Sequence, residues 1–233
     1  MKLLITGANR GLGLALTIEA VKRGHTVFAG IRNPEKQMDQ LAQLRSLFLN
    51  QVSLLSLDVA EEATCQAASE KLEEENITLD VIINNAGILN ERSKTIEEID
   101  ITKVEQTFNI NLFGPMRVIK HFLPLLSKGP NSSIINISSE AGSFQNAYGG
   151  DYPYALSKAS LNMFSQQLRK YLADDQVSVF AVHPGWIKTD MGGEKAPGTP
   201  EESAKGIIDI IEKKQKITGT SSFINTQGEP MPL

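Results

Sequence analysis

Short apolar segments alternate with longer amphipathic segments along the chain. The apolar segments have the length and the Val, Ile and Leu content of buried strands, and they are KLLIT, HTVFAG, VSLLSLDV, LDVIINNAG, SSIINISS and VSVFAVHPG. In the amphipathic segments, apolar residues recur every three or four positions, which predicts helices at 12–23, 61–75, 101–126, 154–172 and 201–214. This alternation predicts right-handed crossovers and a parallel sheet with helices on both faces. We therefore predict a doubly wound α/β fold with about seven strands.

We expect one domain over residues 1–233. The chain is long enough for a sizeable core, and it contains no fixed-period repeat, low-complexity segment or linker. The segment richest in Gly and Pro, MGGEKAPGTP at 191–200, has the length of a loop. We interpret it as a mobile loop within the domain.

Charge and hydropathy exclude several kinds of partner. The net charge is −4 at pH 7 and the pI is near 5.5, whereas binding to a phosphate backbone needs a basic surface. No apolar run approaches the roughly 18 residues of a membrane helix, and MKLLITG is too short for a signal-peptide core. We expect a soluble, cytoplasmic protein with no nucleic-acid or membrane partner.

Cysteine and histidine usage limits metal and redox chemistry. Cys65 is the one cysteine, which excludes an internal disulfide. Together with three histidines it does not form a convincing zinc site, so we expect no bound metal. Redox chemistry in this chain would need a cofactor.

The first strand is followed by a glycine-rich loop at 6–13. In doubly wound sheets, ligands bind at the carboxyl ends of the strands. TGANRGLG places Gly7, Gly11 and Gly13 there, with the spacing G-x-x-x-G-x-G rather than the usual dinucleotide fingerprint. Glycines allow close backbone approach, and the following helix start presents free N–H groups to a pyrophosphate. The pattern favours a dinucleotide site over a purely structural glycine turn.

Two arginines indicate which dinucleotide is bound. Arg32 follows the second strand, where an NAD site usually has an acidic residue, and Arg10 lies in the glycine loop. Two guanidinium groups suit a 2′-phosphate, so we favour NADP(H) over NAD(H), although both arginines could be solvated surface residues. Asp58, after the third strand, is a candidate acceptor for the adenine amino group or an ordinary turn residue.

The stretch YALSK places Tyr154 four residues before Lys158. Residues at this spacing share one helix face, so the ammonium is expected near the phenol. A nearby positive charge lowers the pKa of a phenol toward working pH, where acid–base catalysis is efficient. The alternative is a Tyr and a Lys on an ordinary solvated face.

The order of the motifs resembles that of the short-chain dehydrogenase/reductase family, whose domain is of the Rossmann type. The motifs are the glycine pattern at 7–13, NNAG at 84–87, Asn111 in NINLFGP, ISS at 137–139, Tyr154-x-x-x-Lys158 and PG at 184–185. HPGWIKTDMGG and the ending FINTQGEPMPL look most like the subgroup of C-factor and sniffer-type carbonyl reductases. The resemblance covers nearly the whole chain.

The resemblance implies roles for residues of a catalytic segment at 138–158 and for one residue before it. Tyr154 matches the catalytic acid–base, and Lys158 matches its helper, which also binds the nicotinamide ribose. Ser139, rather than Ser138, matches the residue that orients the substrate carbonyl. Asn111 matches an asparagine that kinks its helix and anchors a proton-relay water.

The predicted cofactor-binding residues lie in the loops after the strands and in the Tyr–Lys pair. NNAG matches a backbone segment along the cofactor, and the loop at 184–200 matches one that holds the nicotinamide carboxamide. The full set is Gly7, Asn9, Arg10, Gly11, Leu12, Gly13, Arg32, Asp58, Val59, Asn85, Ala86, Gly87, Tyr154, Lys158, Pro184, Gly185, Ile187 and Thr189.

One departure from the family concerns the substrate pocket. The segment SFQNAYGGDYP between Ser139 and Tyr154 is about two residues longer than the common family spacing, which changes the pocket wall and leaves the substrate open. Candidate wall residues are Phe144, Tyr148, Tyr152, Trp186 and Met191.

These features predict an NADPH-dependent oxidoreductase that reduces an aldehyde or ketone to an alcohol, or catalyses the reverse. The alternatives are an NADP(H)-binding signalling or regulatory protein with incidental turnover and an NAD-linked alcohol dehydrogenase. The helices at 101–126 and 154–172 carry apolar residues on more than one side, and in the family these helices form an oligomer interface. We therefore expect a homodimer or homotetramer.

Overall fold

A computed structural model of the protein describes residues 1–34, 46, 48, 50–217 and 221–233. The described strands form one sheet of seven, in the order β3-β2-β1-β4-β5-β6-β7. All six strand pairs are parallel. The strands are β1 Lys2–Thr6, β2 Thr26–Ile31, β3 Val52–Ser56, β4 Val81–Asn84, β5 Ser133–Ile137, β6 Ser178–His183 and β7 Phe223–Asn225. The predicted doubly wound fold is confirmed, and its strand order reverses between β1 and β4.

Six α-helices lie in the described ranges. They are α1 Gly11–Lys22, α2 Glu62–Glu74, α3 Ile101–Phe108, α4 Gly114–Phe122, α5 Tyr152–Tyr171 and α6 Pro200–Ile211. None of the helices in these ranges combines the length and apolarity of a membrane span. Parts of the predicted domain, residues 35–45, 47, 49 and 218–220, lie outside the described residues.

The core forms on both faces of the sheet because successive side chains of a strand point to opposite sides. Leu3 and Ile5 of β1 pack with residues of α1 and α6. Leu4, between them, packs on the other face with residues of α2 and α4. The strands are therefore apolar throughout, as expected for a parallel sheet that is covered on both sides.

The predicted single helix at 101–126 is wrong as one regular helix. The chain is α-helical in α3, forms a π turn at Asn109–Phe113, continues in α4 and ends in a 3₁₀ turn at Leu123–Leu125. The π turn coincides with two close contacts to neighbouring segments. Asn111 bonds to the segment after β4, and a methyl group at Gly114 would lie 2.9 Å from a methyl carbon of Val59. These contacts account for the local widening of the helix.

The carboxyl ends of neighbouring strands lie side by side. The N–H of Ala8 donates to the carbonyl of Gly30 over 3.3 Å, and the N–H of Leu57 donates to the carbonyl of Ile31 over 2.9 Å. The predicted cofactor loops after β1, β2 and β3 therefore meet at one edge of the sheet.

Candidate active site

Three glycines shape the loop after β1. Gly7 and Gly11 have φ angles of +63° and +50°, in the left-handed region that glycine tolerates best. A methyl group at Gly13 would lie 2.1 Å from the carbonyl oxygen of Gly7 and 2.5 Å from the side-chain nitrogen of Asn85. The start of α1 therefore lies directly against the loop, and no larger residue fits at Gly13.

The NNAG segment holds the glycine loop in place. The Asn85 side-chain amide donates to the carbonyls of Thr6 and Gly7 over 2.9 and 3.2 Å. The backbone N–H groups of Asn85 and Ala86 both donate to the Thr6 hydroxyl over 3.0 Å. Asn85 therefore supports the loop through its side chain, and Ala86 supports it through its backbone.

The start of α1 has the features of a phosphate site. Arg10 is its N-cap residue and makes no side-chain cap hydrogen bond, and the first turn of the helix has no acidic residue. The first N–H groups of a helix have no acceptor within the helix, so they are suited to an anion. Leu12 is buried in the core, which leaves its backbone for a ligand, and Asn9 lies partly buried in the same loop. The glycine cradle and the uncapped helix start together fit a pyrophosphate.

The two arginines predicted at a 2′-phosphate differ in their surroundings. Arg10 is exposed and forms an ion pair with Asp190 of the loop after β6. Arg32 is exposed just beyond β2. Their convergence on a phosphate stays a prediction, and Asp190 is a carboxylate that a phosphate at Arg10 would have to displace or share.

The residues after β3 make local contacts. The Asp58 carboxylate accepts from the N–H of Ala60 over 3.0 Å, which is the behaviour of a turn residue. Val59 is buried, and its carbonyl accepts from the guanidinium of Arg117 over 3.1 Å. The predicted adenine contact of Asp58 stays a prediction.

The loop at 184–200 closes over the glycine loop. It turns at Gly185, which follows Pro184 and has a φ angle of +84°. Thr189 lies above Gly11, where its methyl carbon would be 3.3 Å from a methyl group added to the glycine. Ile187 is 9% exposed and bridges to Gly198, so the base of the loop is fixed. Mobility of its 191–200 portion stays a prediction.

Lys158 is buried between α5 and the sheet. Its ammonium donates to the carbonyl of Ile137, the last residue of β5, over 2.7 Å. It lies 5.5 Å from the centre of the Tyr154 ring and is 4% exposed. A methyl group at Gly87 would be 3.7 Å from the ammonium, so the NNAG segment reaches the same point. Burial lowers the pKa of Lys158 to about 8.

The expected lowering of the Tyr154 pKa is wrong for the protein alone. Burial raises the pKa of this phenol, and the Ser139 hydroxyl and the charge of Arg92 oppose that shift only in part. The physical reason is that a partly buried phenolate loses hydration, while the ammonium of Lys158 points at a backbone carbonyl and is itself disfavoured by burial. The phenol is therefore protonated at neutral pH.

The two serines of ISS face different surroundings. The Ser138 hydroxyl is buried and bonds to the side-chain oxygen of Asn162 over 2.5 Å. Ser139 begins the 3₁₀ turn Glu140–Gly142 and interacts with the Tyr154 hydroxyl. The structure thus places Ser139 beside the phenol and Ser138 in the core.

The turn after Ser139 packs tightly on α5. A methyl group at Gly142 would lie 2.7 Å from the carbonyl carbon of Lys158. This close contact sets the distance between the turn and the helix that carries Tyr154. A side chain at Gly142 would push the two apart.

Asn111 clamps the segment after β4 to the catalytic helix. Its side-chain oxygen accepts from the N–H of Ile88, and its amide nitrogen donates to the carbonyl of Ile88 and the hydroxyl of Ser157, all within 3.0 Å. The Ser157 hydroxyl in turn donates to the carbonyl of Tyr154 over 2.8 Å. The side chain of Asn111 is therefore occupied by the protein itself.

A cavity of about 330 Å³ contains two charged residues, Arg92 and Asp151, that act on the pKa of Tyr154, while Tyr154 itself is not part of its lining. Two of the predicted wall residues, Tyr148 and Trp186, line it together with Arg92 and Asp151. The other three predicted wall residues are not part of this lining, and Phe144 is 78% exposed.

Several residues of the site were not predicted from the sequence. Arg92 and Asp151 face the cavity, Ser157 joins Asn111 to α5, and Asp190 pairs with Arg10. Asp190 directly follows Thr189 in a motif that was recognised, so its position was a usable signal. Arg92 and Asp151 belong to no motif, and the sequence indicates only that they lie in loops.

Comparison with known proteins identifies relatives over most of the chain. A family model described as short chain dehydrogenase matches residues 2–199. C-signal of Myxococcus xanthus is 34% identical over 155 residues, which cover 66% of this chain and 92% of that protein.

Solved structures match the whole chain. The NADPH-bound carbonyl reductase from chicken fatty liver is 32% identical with a TM-score of 0.88, over 100% of this chain and 94% of that one. Carbonyl reductase Sniffer of D. melanogaster is 30% identical with a TM-score of 0.90, over 100% of this chain and 99% of that one.

Burial of Lys158 predicts a pH-dependent cost in stability. Its pKa of about 8 lies below the ordinary 10.5, so folding disfavours the charge at every pH below about 8, and the cost disappears as pH rises from 8 to 10.5. The shift corresponds to at most about 3 kcal/mol. Lys158→Met should raise the free energy of unfolding at pH 7 by about 1 kcal/mol or more, since loss of the bond to Ile137 offsets part of the gain.

Urea denaturation at pH 7 and pH 10 tests this, with Lys170→Met, an exposed lysine of the same helix, as the matched control. The increase in the free energy of unfolding of Lys158→Met should be smaller at pH 10 than at pH 7, and the control should show no such increase. Destabilisation of Lys158→Met at both pH values would contradict the proposed cost of the buried charge.

Proposed function

The chain belongs to the short-chain dehydrogenase family of oxidoreductases, and we propose from this that it is an NADPH-dependent carbonyl reductase, which converts an aldehyde or ketone to an alcohol or catalyses the reverse. The observation that carries the proposal is the grouping of a protonated phenol, a hydroxyl and a buried ammonium beside a glycine cradle. A protein that only binds a dinucleotide needs no such proton donor. The carbonyl reductases among its structural neighbours support the reaction class.

Each residue of the group has one task in the reductive direction. Reduced nicotinamide, when bound, supplies the hydride that adds to the carbonyl carbon. Tyr154 donates its proton to the carbonyl oxygen, and the Ser139 hydroxyl donates a hydrogen bond to that oxygen. The phenolate left on Tyr154 is stabilised by the positive charge of Lys158. The raised pKa of Tyr154 suits this direction, because it keeps the acid protonated before the reaction.

We assign Asn111 a positioning role. Its side chain is bonded to Ile88 and Ser157, so it fixes the catalytic helix against the segment after β4. The anchoring of a proton-relay water at Asn111 stays a prediction.

We propose NADP(H) as the cofactor. Arg10 and Arg32 supply two guanidinium groups at the loops after β1 and β2, and a structural neighbour is described with NADPH bound. Binding of a 2′-phosphate at Arg10 would compete with Asp190 and so connects cofactor binding to the loop after β6.

We also propose that the protein is a homodimer or homotetramer. Large apolar side chains are exposed on α3 to α5 and the π turn, and they are Ile101, Phe113, Met116, Leu156 and Met163, each 43–62% exposed. Such a set of exposed apolar residues on adjacent helices suits a helix–helix interface between copies of the chain.

The Tyr154→Phe variant tests the reaction. It should lose NADPH oxidation over a panel of aliphatic, aromatic and quinone carbonyls by about 100-fold or more, because the proton donor is removed. NADPH binding, followed by cofactor fluorescence, should persist. Tyr171→Phe, the same change at a 76% exposed position of the same helix, is the control. Equal activity of Tyr154→Phe and the control would refute the mechanism. Binding of NADPH without turnover of any carbonyl would favour a regulatory protein.

The Arg32→Asp variant tests the cofactor. Loss of a charge-assisted bond and the addition of a like charge should weaken NADPH binding by about 10- to 100-fold and leave NADH binding nearly unchanged. Lys205→Asp, with the same charge change at an exposed position of α6, controls for net charge. Calorimetric binding curves that do not change for either cofactor would favour an NAD-linked enzyme.

A further inference from the structure

The cavity that Arg92 and Asp151 line is built from three segments of the chain. Arg92 lies in the segment between β4 and α3, Tyr148 and Asp151 precede α5, and Trp186 belongs to the loop after β6. Its volume of about 330 Å³ is at the lower end of the range for small-molecule pockets. A space of this size suits a small substrate.

Arg92 brings a positive charge to the cavity without a carboxylate to neutralise it. Its guanidinium donates to the backbone carbonyl of Met191 over 3.0 Å, and that acceptor is neutral. In the part of the chain that the structure describes, no carboxylate lies within ion-pair distance of Arg92, whereas Arg23 pairs with Glu19, Asp209 and Glu212. A guanidinium has five N–H donors, so donors remain for a ligand.

The backbone around Arg92 is held in an unusual conformation. Glu91 and Ser93, on either side, have φ angles of +57° and +63°, which non-glycine residues rarely adopt. The Glu91 carboxylate accepts from the N–H of Asp100 over 3.0 Å and fixes the segment. A strained backbone of this kind persists where surrounding contacts enforce it. Here the strained backbone fixes the position from which the Arg92 side chain extends.

The charge of Arg92 acts on the phenol of Tyr154. It lowers the pKa of Tyr154 and that of Tyr148, against the larger effect of burial on each phenol. Asp151 acts in the opposite direction, but its carboxylate already accepts from the Tyr148 hydroxyl over 3.1 Å. Among the described residues, the carboxylate of Asp151 thus has a side-chain partner, whereas the hydrogen bond of the Arg92 guanidinium goes to a backbone carbonyl.

The aromatic residues define the shape of the substrate. Trp186 is 53% exposed and Tyr148 is 51% exposed, so both rings offer surface to a ligand. The indole N–H of Trp186 donates to the carbonyl of Gly192 over 2.8 Å, which fixes the ring orientation. A flat apolar group is the natural contact for such rings.

We infer that Arg92 selects carbonyl substrates that carry a carboxylate, joined to the reacting carbonyl by a small planar body that contacts Tyr148 and Trp186. This inference rests on the proposed carbonyl reductase function and names its substrate class. Arg92 binds the carboxylate, while Ser139 and Tyr154 engage the carbonyl oxygen at the other end.

Two isosteric aldehydes and one cationic aldehyde test the selection. NADPH-dependent kcat/KM is measured for 4-carboxybenzaldehyde, neutral 4-carbamoylbenzaldehyde and cationic 4-(trimethylammonio)benzaldehyde. The wild-type protein should prefer the carboxylate over the amide by about 10- to 100-fold, the range of a charge-assisted hydrogen bond. In Arg92→Gln this ratio should fall to about 1, and in Lys94→Gln, which removes an exposed charge two residues away, it should be unchanged.

The ratio separates recognition from a structural role. Arg92 also joins two loops through Met191, and loss of that contact would lower kcat/KM for both aldehydes equally. Arg92→Lys, which keeps the charge, should retain part of the preference. An equal wild-type response to carboxylate and amide, a preference for the cation, or a ratio that persists in Arg92→Gln would overturn the inference.

Binding of the product alcohols gives a readout that does not depend on turnover. Calorimetry compares 4-carboxybenzyl alcohol with 4-carbamoylbenzyl alcohol in the same variants. The inference is supported if the wild-type protein binds the carboxylate more tightly than the amide and Arg92→Gln loses this difference, even where no aldehyde is reduced. Absence of reduction would contradict only the proposed function. Equal binding of the two alcohols overturns the inference whether or not reduction occurs.

Discussion

The bond between the Lys158 ammonium and the carbonyl of Ile137 is the contact on which the site depends. It joins the catalytic helix to the end of β5 inside the protein, where an unpaired charge would be costly. Because Ile137 directly precedes the ISS serines, the same contact brings Ser139 to the Tyr154 hydroxyl. The close approach of Gly142 to α5 makes this arrangement rigid. Holding a phenol, a hydroxyl and an ammonium together therefore lowers the stability of the fold, because burial disfavours the charge of Lys158.

The cofactor cradle and the catalytic group are connected through shared loops. Asn85 supports the glycine loop. Gly87, which is two residues further along the chain, lies against Lys158 and Asn111. On the other side, Thr189 lies over Gly11 and Asp190 pairs with Arg10. Under the proposed function, these two segments would contact both substrate and cofactor and would couple their binding.

Local patterns predicted six of the seven described strands and the glycine loop, whereas the short strand β7 was not among the predicted strands. The family resemblance implied the choice of Ser139 over Ser138, and the role of Ser139 stays a prediction. Strand runs and glycine spacing are determined by short-range chemistry, and the order of six motifs identifies the family. Periodicity did not predict the π turn, because the turn coincides with the contact of Asn111 to Ile88, 23 residues away. The family resemblance alone indicated an irregular helix here, since it implies a kink at Asn111. The Tyr154 pKa was predicted in the wrong direction, since spacing gives the distance to Lys158 and says nothing about burial. Arg92 was missed because only the folded chain brings its loop to the cavity.

Tyr154 is the proposed proton donor, and its pKa should respond to positive charge at the nicotinamide position. Proton release on cofactor binding, followed with an indicator dye near pH 9, tests this most directly. Oxidised nicotinamide carries a positive charge that favours the phenolate, so NADP⁺ should release more protons from the wild-type protein than from Tyr154→Phe. NADPH, whose ring is neutral, should show no difference between the two proteins. Equal proton release by wild-type and Tyr154→Phe on NADP⁺ binding would contradict the account.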